Sequence, residues 1–258
     1  MSCRYCYEKD KSSGNVPWEI TKELLDNILR NTPIFEIEFL GGETLLNLPL
    51  IQQCVDYLKE KSTVTYFITT NGTIMSNEVV DFLQENRNIK ICISMDGTRF
   101  ANSLRVFKNG KNSFEIVVKN IKKLIEKGLV DRLLVHTVLH PYNVAYFSES
   151  VDLLYSLGVR HVDPGIVENT MLCTKEFQDT FIFEHQKVSK KLYMAEYPGL
   201  KVTTLHYPPL INKKKVYIRN EQGVIIGEYN GVKDRFASDN ITLRLRTIVY
   251  ENHKRRAF

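Results

Sequence analysis

The sequence has no run of eighteen apolar residues, and no charged leader followed by a short apolar stretch. Neither a membrane-spanning helix nor a secretory signal is therefore expected. Cysteine is scarce: five residues, at 3, 6, 54, 92 and 173, are too few and too scattered for a disulfide framework. A reducing cytoplasm suits them better. Repeats and low-complexity linkers are absent. Neither sign of charge dominates, and the net value is +5. The excess is unevenly placed, because from Lys201 onward twelve Lys and Arg face five Asp and Glu. Such a segment can steer an acidic peptide or a nucleic acid, but a solvated surface is the plainer reading. No nucleic-acid partner is expected. At 258 residues, 43% hydrophobic and 25% charged, the chain suits one α/β barrel-like domain, alone or with an appendage.

What is present begins at once. Cys3 and Cys6 stand three apart, with Tyr5 between them and Tyr7 just after. Thiolates at that spacing can hold one face of an iron–sulfur cluster or half of a zinc site. A zinc module would need two more nearby ligands, yet the next Cys or His is Cys54. Further along come Leu40-Gly41-Gly42-Glu43-Thr44, then Thr69-Thr70-Asn71-Gly72-Thr73, then Ser94-Met95-Asp96-Gly97.

Between these marks, strand-like and helix-like segments alternate. Glu8 to Asn15 is polar and reads as a loop. Helices are predicted from Trp18 to Arg30, Leu48 to Lys59, Asn77 to Glu85, Phe114 to Lys127 and Phe147 to Leu157. Strands are predicted at Ile34–Leu40, Val64–Thr69, Ile89–Ser94, Leu133–Leu139 and Val159–Val167. Five alternations at this spacing imply a parallel sheet, either a barrel or open. Polar residues collect at the C-terminal ends of the strands: Glu43, Asn71, Asp96, His140 and Glu168. In parallel barrels that edge carries the active site. After residue 169 the pattern changes to a helix from Lys175 to Glu196, a hairpin around Asn220–Gly223 and a strand-like run from Ile241 to Tyr250. The expected domains are 1–169 for the core and 170–258 for an α+β extension, a candidate substrate-side region.

The cysteine pair with the three downstream motifs, in that order, resembles the radical S-adenosylmethionine (radical SAM) superfamily. The closest resemblance is to its peptide- and protein-maturing branch, which includes sulfatase-maturing and thioether-forming enzymes. It covers about two-thirds of the chain, Ser2 to Asn169. The family motif has three cysteines, and Cys3 and Cys6 match the last two. The first would fall two positions before Met1, and the family's first strand would precede it. A start codon placed late, or a 5′-truncated gene, is therefore expected. The fold the resemblance implies is a partial (β/α)6 barrel lacking its first strand. The cofactors it implies are a [4Fe-4S] cluster and S-adenosylmethionine.

The resemblance also suggests roles. Cys3 and Cys6 would ligate the cluster, and Tyr5 would lie by the adenine. Gly41-Gly42-Glu43 would bind the amino group of S-adenosylmethionine; Thr44 stands where the family usually has Pro. Asn71 and Ser94 would hydrogen-bond its ribose or carboxylate, and Arg105 would pair with a carboxylate. Each has a plainer competitor. Gly41-Gly42-Glu43 can be a strand-to-helix turn, Asn71-Gly72 and Asp96-Gly97 turns, and Arg105 an exposed helix arginine. Cys54 and Cys92 read as core, and Cys173 lies in a loop. His140 and Glu168 are substrate-side candidates for catalysis, with Glu168 as a proton acceptor or peptide contact. The branch often carries a cysteine-rich C-terminal domain, but no cysteine follows Cys173.

The expected function is hydrogen abstraction from a peptide or protein after cleavage of S-adenosylmethionine, with flavodoxin or ferredoxin as electron donor. The alternative is a catalytically dead remnant that binds S-adenosylmethionine or peptide without radical chemistry.

Overall fold

The computed structural model describes residues 1–6, 12–30, 36–61, 63–167, 174–206, 214–219, 225–231, 241–246 and 248–251. In chain order the first elements are β1 (Ser12–Asn15), α1 (Trp18–Leu29), β2 (Glu36–Leu40), α2 (Leu48–Leu58), β3 (Thr65–Thr70), α3 (Asn77–Glu85) and β4 (Ile89–Ser94). Next come α4 (Phe114–Glu126), β5 (Leu133–Leu139), α5 (Phe147–Ser156), β6 (His161–Ile166), α6 (Lys175–Tyr193), β7 (Lys201–Val202) and α7 (Thr203–His206). The chain ends in β8 (Lys214–Arg219), β9 (Ile225–Gly231), β10 (Ile241–Arg246) and β11 (Ile248–Glu251). The alternation of strands and helices expected from the sequence is present, and the fold is α/β.

Two compact units share these elements. The first contains Met1–Lys9, Asn71–Val80 and Cys92–Pro209. Within it β5 pairs β6 in parallel, and β6 pairs β7 in parallel. Residues along β5 alternate between buried and half-exposed, because successive side chains of a strand point to opposite faces. Helix α4 shows the matching pattern: its Val117, Ile121 and Leu124 recur at helical spacing and are almost wholly covered. Each such side chain contributes about 1.5–3 kcal/mol relative to exposure. Gly128 and Gly158 follow the ends of α4 and α5 at φ of 76° and 98°. That left-handed backbone ends a helix at little cost only for glycine.

The second unit contains Asp10–Thr70, Asp81–Ile91 and Leu210–Phe258. Here β2 pairs β3 in parallel, and β10 pairs β2 in parallel on its other edge. The hairpin expected around Asn220–Gly223 is present as antiparallel β8 and β9, with those turn residues outside the described set. The strand-like run from Ile241 is two strands, β10 and β11. One expectation fails. Ser12–Asn15 is not loop but strand β1, antiparallel to β11 with Ser12 opposite Glu251. Its Ser-Ser-Gly-Asn sequence has little strand propensity; it is a strand because a distant segment supplies the backbone partner.

Candidate active site

The polar strand-end residues fall in both units, and each unit has its own arrangement. In the second, β2 runs into Gly41-Gly42 and the chain turns into a short 3-10 segment, Thr44–Asn47. Glu43 stands at its start with extended backbone, and its Oε1 accepts from the Leu45 N–H at 3.2 Å. The same oxygen accepts from the Thr70 hydroxyl at 2.5 Å. Glu43 is buried, and these two hydrogen bonds help to satisfy its carboxyl there. The competing reading is right about the geometry, since this is a strand-to-helix turn. What the turn adds is a carboxylate fixed at its corner.

In the first unit, the cysteine loop leans on the segment after β4. Ser2 N–H donates to Val106 O at 2.8 Å, and Arg4 N–H donates to Leu104 O at 2.9 Å. Cys6 N–H closes back on Cys3 O at 3.1 Å, so the two cysteines share one tight turn. Both are half-buried and free of disulfides. Burial prevails and holds the Cys3 thiol above its ordinary pKa, with the Arg105 guanidinium offsetting part of that rise. A cation beside a thiol favours the thiolate that a metal needs.

Tyr5 lies across Arg105, 5.4 Å from guanidinium carbon to ring centroid. Its hydroxyl donates to Asp96 Oδ2 at 2.5 Å. Asp96 is the hub of this site. It also takes an ion pair from Arg105 at 2.9 Å and a hydrogen bond from the Val138 N–H at 2.9 Å, both on Oδ1. The carboxylate is fully enclosed, and the Arg105 side chain is 7% exposed. Arg105 is therefore not an exposed helix arginine, and Asp96 does more than fill a turn. The charge of Arg105 is spent on an internal partner, and the Arg105 Nε has no hydrogen-bond partner among the described residues. Gly97, at φ 111°, completes the turn; a Cβ there would sit 2.0 Å from Ser150 Cβ.

Asn71 makes the turn its Asn-Gly sequence suggests. Its Oδ1 accepts from the Thr73 N–H at 2.9 Å and hydroxyl at 2.6 Å. Gly72 follows at φ 73°, and its carbonyl accepts from Asn120 Nδ2 at 2.8 Å. Ser94 is half-exposed at the end of β4, whereas Cys92, two residues earlier, is buried, as is Cys54 in α2. His140 is half-exposed and stacks near Tyr5, with centroids 6.3 Å apart. Its Nδ1 accepts from the Tyr142 N–H at 3.0 Å. Burial lowers its pKa, with Asp96 pulling the other way, so it is neutral at pH 7 and carries its proton on Nε2. Glu168 and Cys173 lie outside the described residues.

Asp96 was the residue sequence reasoning undervalued. The signal available was its place at the end of a β-strand with an arginine nine residues on; what could not be read was that Tyr5 and Arg105 converge on it.

The first unit thus sets an enclosed carboxylate–arginine pair beside a cysteine turn, just past the C-terminal end of β4, in an α/β fold. A family model for the radical SAM superfamily matches residues 1–154. The chain belongs to the radical SAM superfamily. An uncharacterised protein of Methanocaldococcus jannaschii is 28% identical over 228 residues, covering 86% of this chain and 71% of its own. Among solved structures, AdoMet-bound anSMEcpe with a Cp18Cys peptide superposes at TM-score 0.69 with 14% identity, over 79% of this chain. Streptococcus suis SuiB bound to its precursor peptide SuiA superposes at 0.59 with 17% identity, over 82% of this chain. The chain spans 60% of the length of that anSMEcpe chain and 48% of SuiB. These likenesses are of fold.

The family implies S-adenosylmethionine and a four-iron cluster. Such a cluster takes three thiolates and leaves one iron open. Of the four described cysteines, Cys54 and Cys92 are buried and Cys3 and Cys6 share one turn; among the described residues no group of three or more His, Cys, Asp or Glu could hold a metal ion. By themselves they do not complete that ligand set.

Proposed function

We propose that this chain is the core of a radical SAM enzyme that modifies a peptide or protein by hydrogen abstraction. The observation that carries the reading is the family match over residues 1–154, which contains the cysteine turn and all three downstream motifs. The peptide-bound relatives among the fold neighbours support the substrate class. In this reading Glu43 receives the ammonium of S-adenosylmethionine in a charge-assisted contact. Tyr5 flanks the adenine, Asn71 and Ser94 serve the ribose or carboxylate, and the Gly41-Gly42 backbone lets the ligand approach closely. Arg105 serves the site by fixing Tyr5 and Asp96, and by offsetting part of the rise that burial imposes on the Cys3 thiol. His140, neutral, is a substrate-side contact, and Glu168 keeps its proposed role as proton acceptor. Residues 1–169 form the core and 170–258 the substrate-side extension, in a cytoplasmic protein served by a flavodoxin- or ferredoxin-type donor.

A second reading is favoured by the donor set. With only Cys3 and Cys6 brought together among the described residues, the chain would bind S-adenosylmethionine or peptide and perform no radical chemistry. Anaerobic incubation with iron, sulfide, reductant and S-adenosylmethionine separates the two. Release of 5′-deoxyadenosine supports the enzyme, and saturable S-adenosylmethionine binding with no release supports the second reading. Absence of both overturns the pair.

A further inference from the structure

Besides Asp96 and Arg105, the first unit holds a second acid–base pair that none of the roles above uses. His136 on β5 and Asp163 on β6 are direct cross-strand partners in the parallel register. His136 Nδ1 and Asp163 Oδ2 are 2.8 Å apart, and both side chains are 32% exposed. Thr203 donates to the same carboxyl. Thr203 Oγ1 also lies 3.2 Å from His161 Nε2. The pair sits on the half-exposed face of the two strands, away from the buried face of Val135, Val162 and Leu139.

The backbone makes room for the ring. A Cβ on Gly165 would lie 2.9 Å from His136 Cε1 and 3.3 Å from Nε2. Gly165 is two residues beyond Asp163, and so on the same face of β6, opposite Val138. Any larger residue there would push the imidazole off its position. The Cε1–Nε2 edge therefore lies over Gly165.

Burial pushes the Asp163 carboxyl up, but the hydrogen bonds from His136 and Thr203 prevail and hold it below the ordinary carboxylate value. An ionised carboxylate only accepts, so Nδ1 of neutral His136 carries the ring proton and Nε2 carries a lone pair. Nε2 has no hydrogen-bond partner among the described residues.

We propose that His136, oriented by Asp163, is the proton acceptor for a thiol or hydroxyl on a peptide side chain; this rests on the peptide-modifying reading above. The X–H bond breaks, its electron pair stays on sulfur or oxygen, and the proton passes to Nε2. The Asp163 carboxylate balances the imidazolium that forms. Val138 and Gly165 beside the ring offer no charge, which suits a small neutral donor rather than an ionised group.

Two readouts test this on the intact chain without peptide turnover. Nitrogen-detected NMR of the imidazole should show the Nδ1–H tautomer of His136. Diethyl pyrocarbonate should acylate His136 at Nε2, read by mass spectrometry, and Asp163→Asn should slow this by about fivefold or more, as the ring loses the partner that fixes its tautomer. Because a free thiol consumes that reagent, the small amides are added in the NMR experiment alone: N-acetylcysteinamide or N-acetylserinamide should shift the His136 Nε2 signal at least about threefold more than N-acetylalaninamide. A shift with the first alone assigns a thiol, and with the second alone a hydroxyl. An Nε2–H tautomer, an acylation rate indifferent to Asp163, or equal shifts with all three amides overturns the proposal. Failure to release 5′-deoxyadenosine would leave the tautomer and acylation results unchanged, so the two readings fail separately.

Discussion

Two aspartates in one unit end up in opposite circumstances. Asp96 and Asp163 each sit on or just after a parallel strand, and each has a basic partner at 2.8–2.9 Å. The Asp96–Arg105 pair is enclosed, with side chains 0% and 7% exposed, and Tyr5 and the Val138 N–H occupy the same carboxylate. The Asp163–His136 pair is one-third open. An enclosed pair with a permanent cation is architecture: it anchors the cysteine turn through Tyr5 and cannot easily change partners. A half-open pair with a titratable base has a spare lone pair to offer. Geometry at 3 Å is the same in both; what differs is access and the chemistry of the partner, a guanidinium in one and an imidazole in the other.

The largest expected effect comes from breaking the enclosed pair. Asp96→Ala leaves Arg105 charged and buried, and should destabilise the protein by about 3–5 kcal/mol. Thermal or urea unfolding reads this. Replacing both partners, as Asp96→Leu with Arg105→Met, should recover part of the loss, because removing both charges is less costly than orphaning one. If the single and double variants melt alike, the pair is not what holds this turn.

Gly165→Ala comes next. Its methyl would meet the imidazole at under 3 Å, so the ring must move, with an expected cost of about 1–3 kcal/mol from overpacking. The same variant should lower His136 acylation. Unchanged stability and reactivity would mean that the ring does not rest over Gly165.

A smaller effect is expected for Asp163→Asn, since half-open polar pairs of this kind contribute at most about 1 kcal/mol. Its pH dependence is more telling. The folded-state pKa of Asp163 lies below its ordinary value. Its contribution is therefore present above the unfolded carboxylate pKa and is lost as pH falls through the folded value. Wild type should lose stability relative to Asp163→Asn only in that acidic range. A difference that instead grew on raising the pH from neutral would contradict the sign.

His185 offers a third case on the same scale. It lies between Phe147 and Phe181, and burial lowers its pKa against the pull of Phe181 O and Glu184. A histidine buried neutral resists protonation, so its contribution is present above the ordinary histidine pKa and fades as pH falls through the lowered value. His185→Phe should flatten the pH profile of melting between about 7 and 5.

Much of this frame was legible in the sequence. The helices from Phe114 and Phe147 announce themselves by apolar spacing and end at Gly128 and Gly158, both left-handed as their sequence suggests. The strand ends were legible because polar residues interrupt apolar runs there. Strand β1 was not, since Ser12–Asn15 gains its structure from β11, more than two hundred residues away. Nor was the parallel pairing of β10 with β2, which covers a strand edge from the far end of the chain. The Asp96 hub and the His136–Asp163 pair escaped for the same reason. Sequence shows which residues share a strand face, but a one-dimensional reading does not give the register between strands, and register is what sets His136 opposite Asp163.

The central claim is that this chain binds S-adenosylmethionine through Glu43 at the turn after β2. Isothermal titration of the intact protein with S-adenosylmethionine, beside Glu43→Gln, tests it directly. The account predicts saturable binding that weakens by about tenfold or more in the variant, the worth of one charge-assisted contact, while the melting temperature stays close to wild type. No saturable heat, or equal affinity in both proteins with the fold intact, would contradict it.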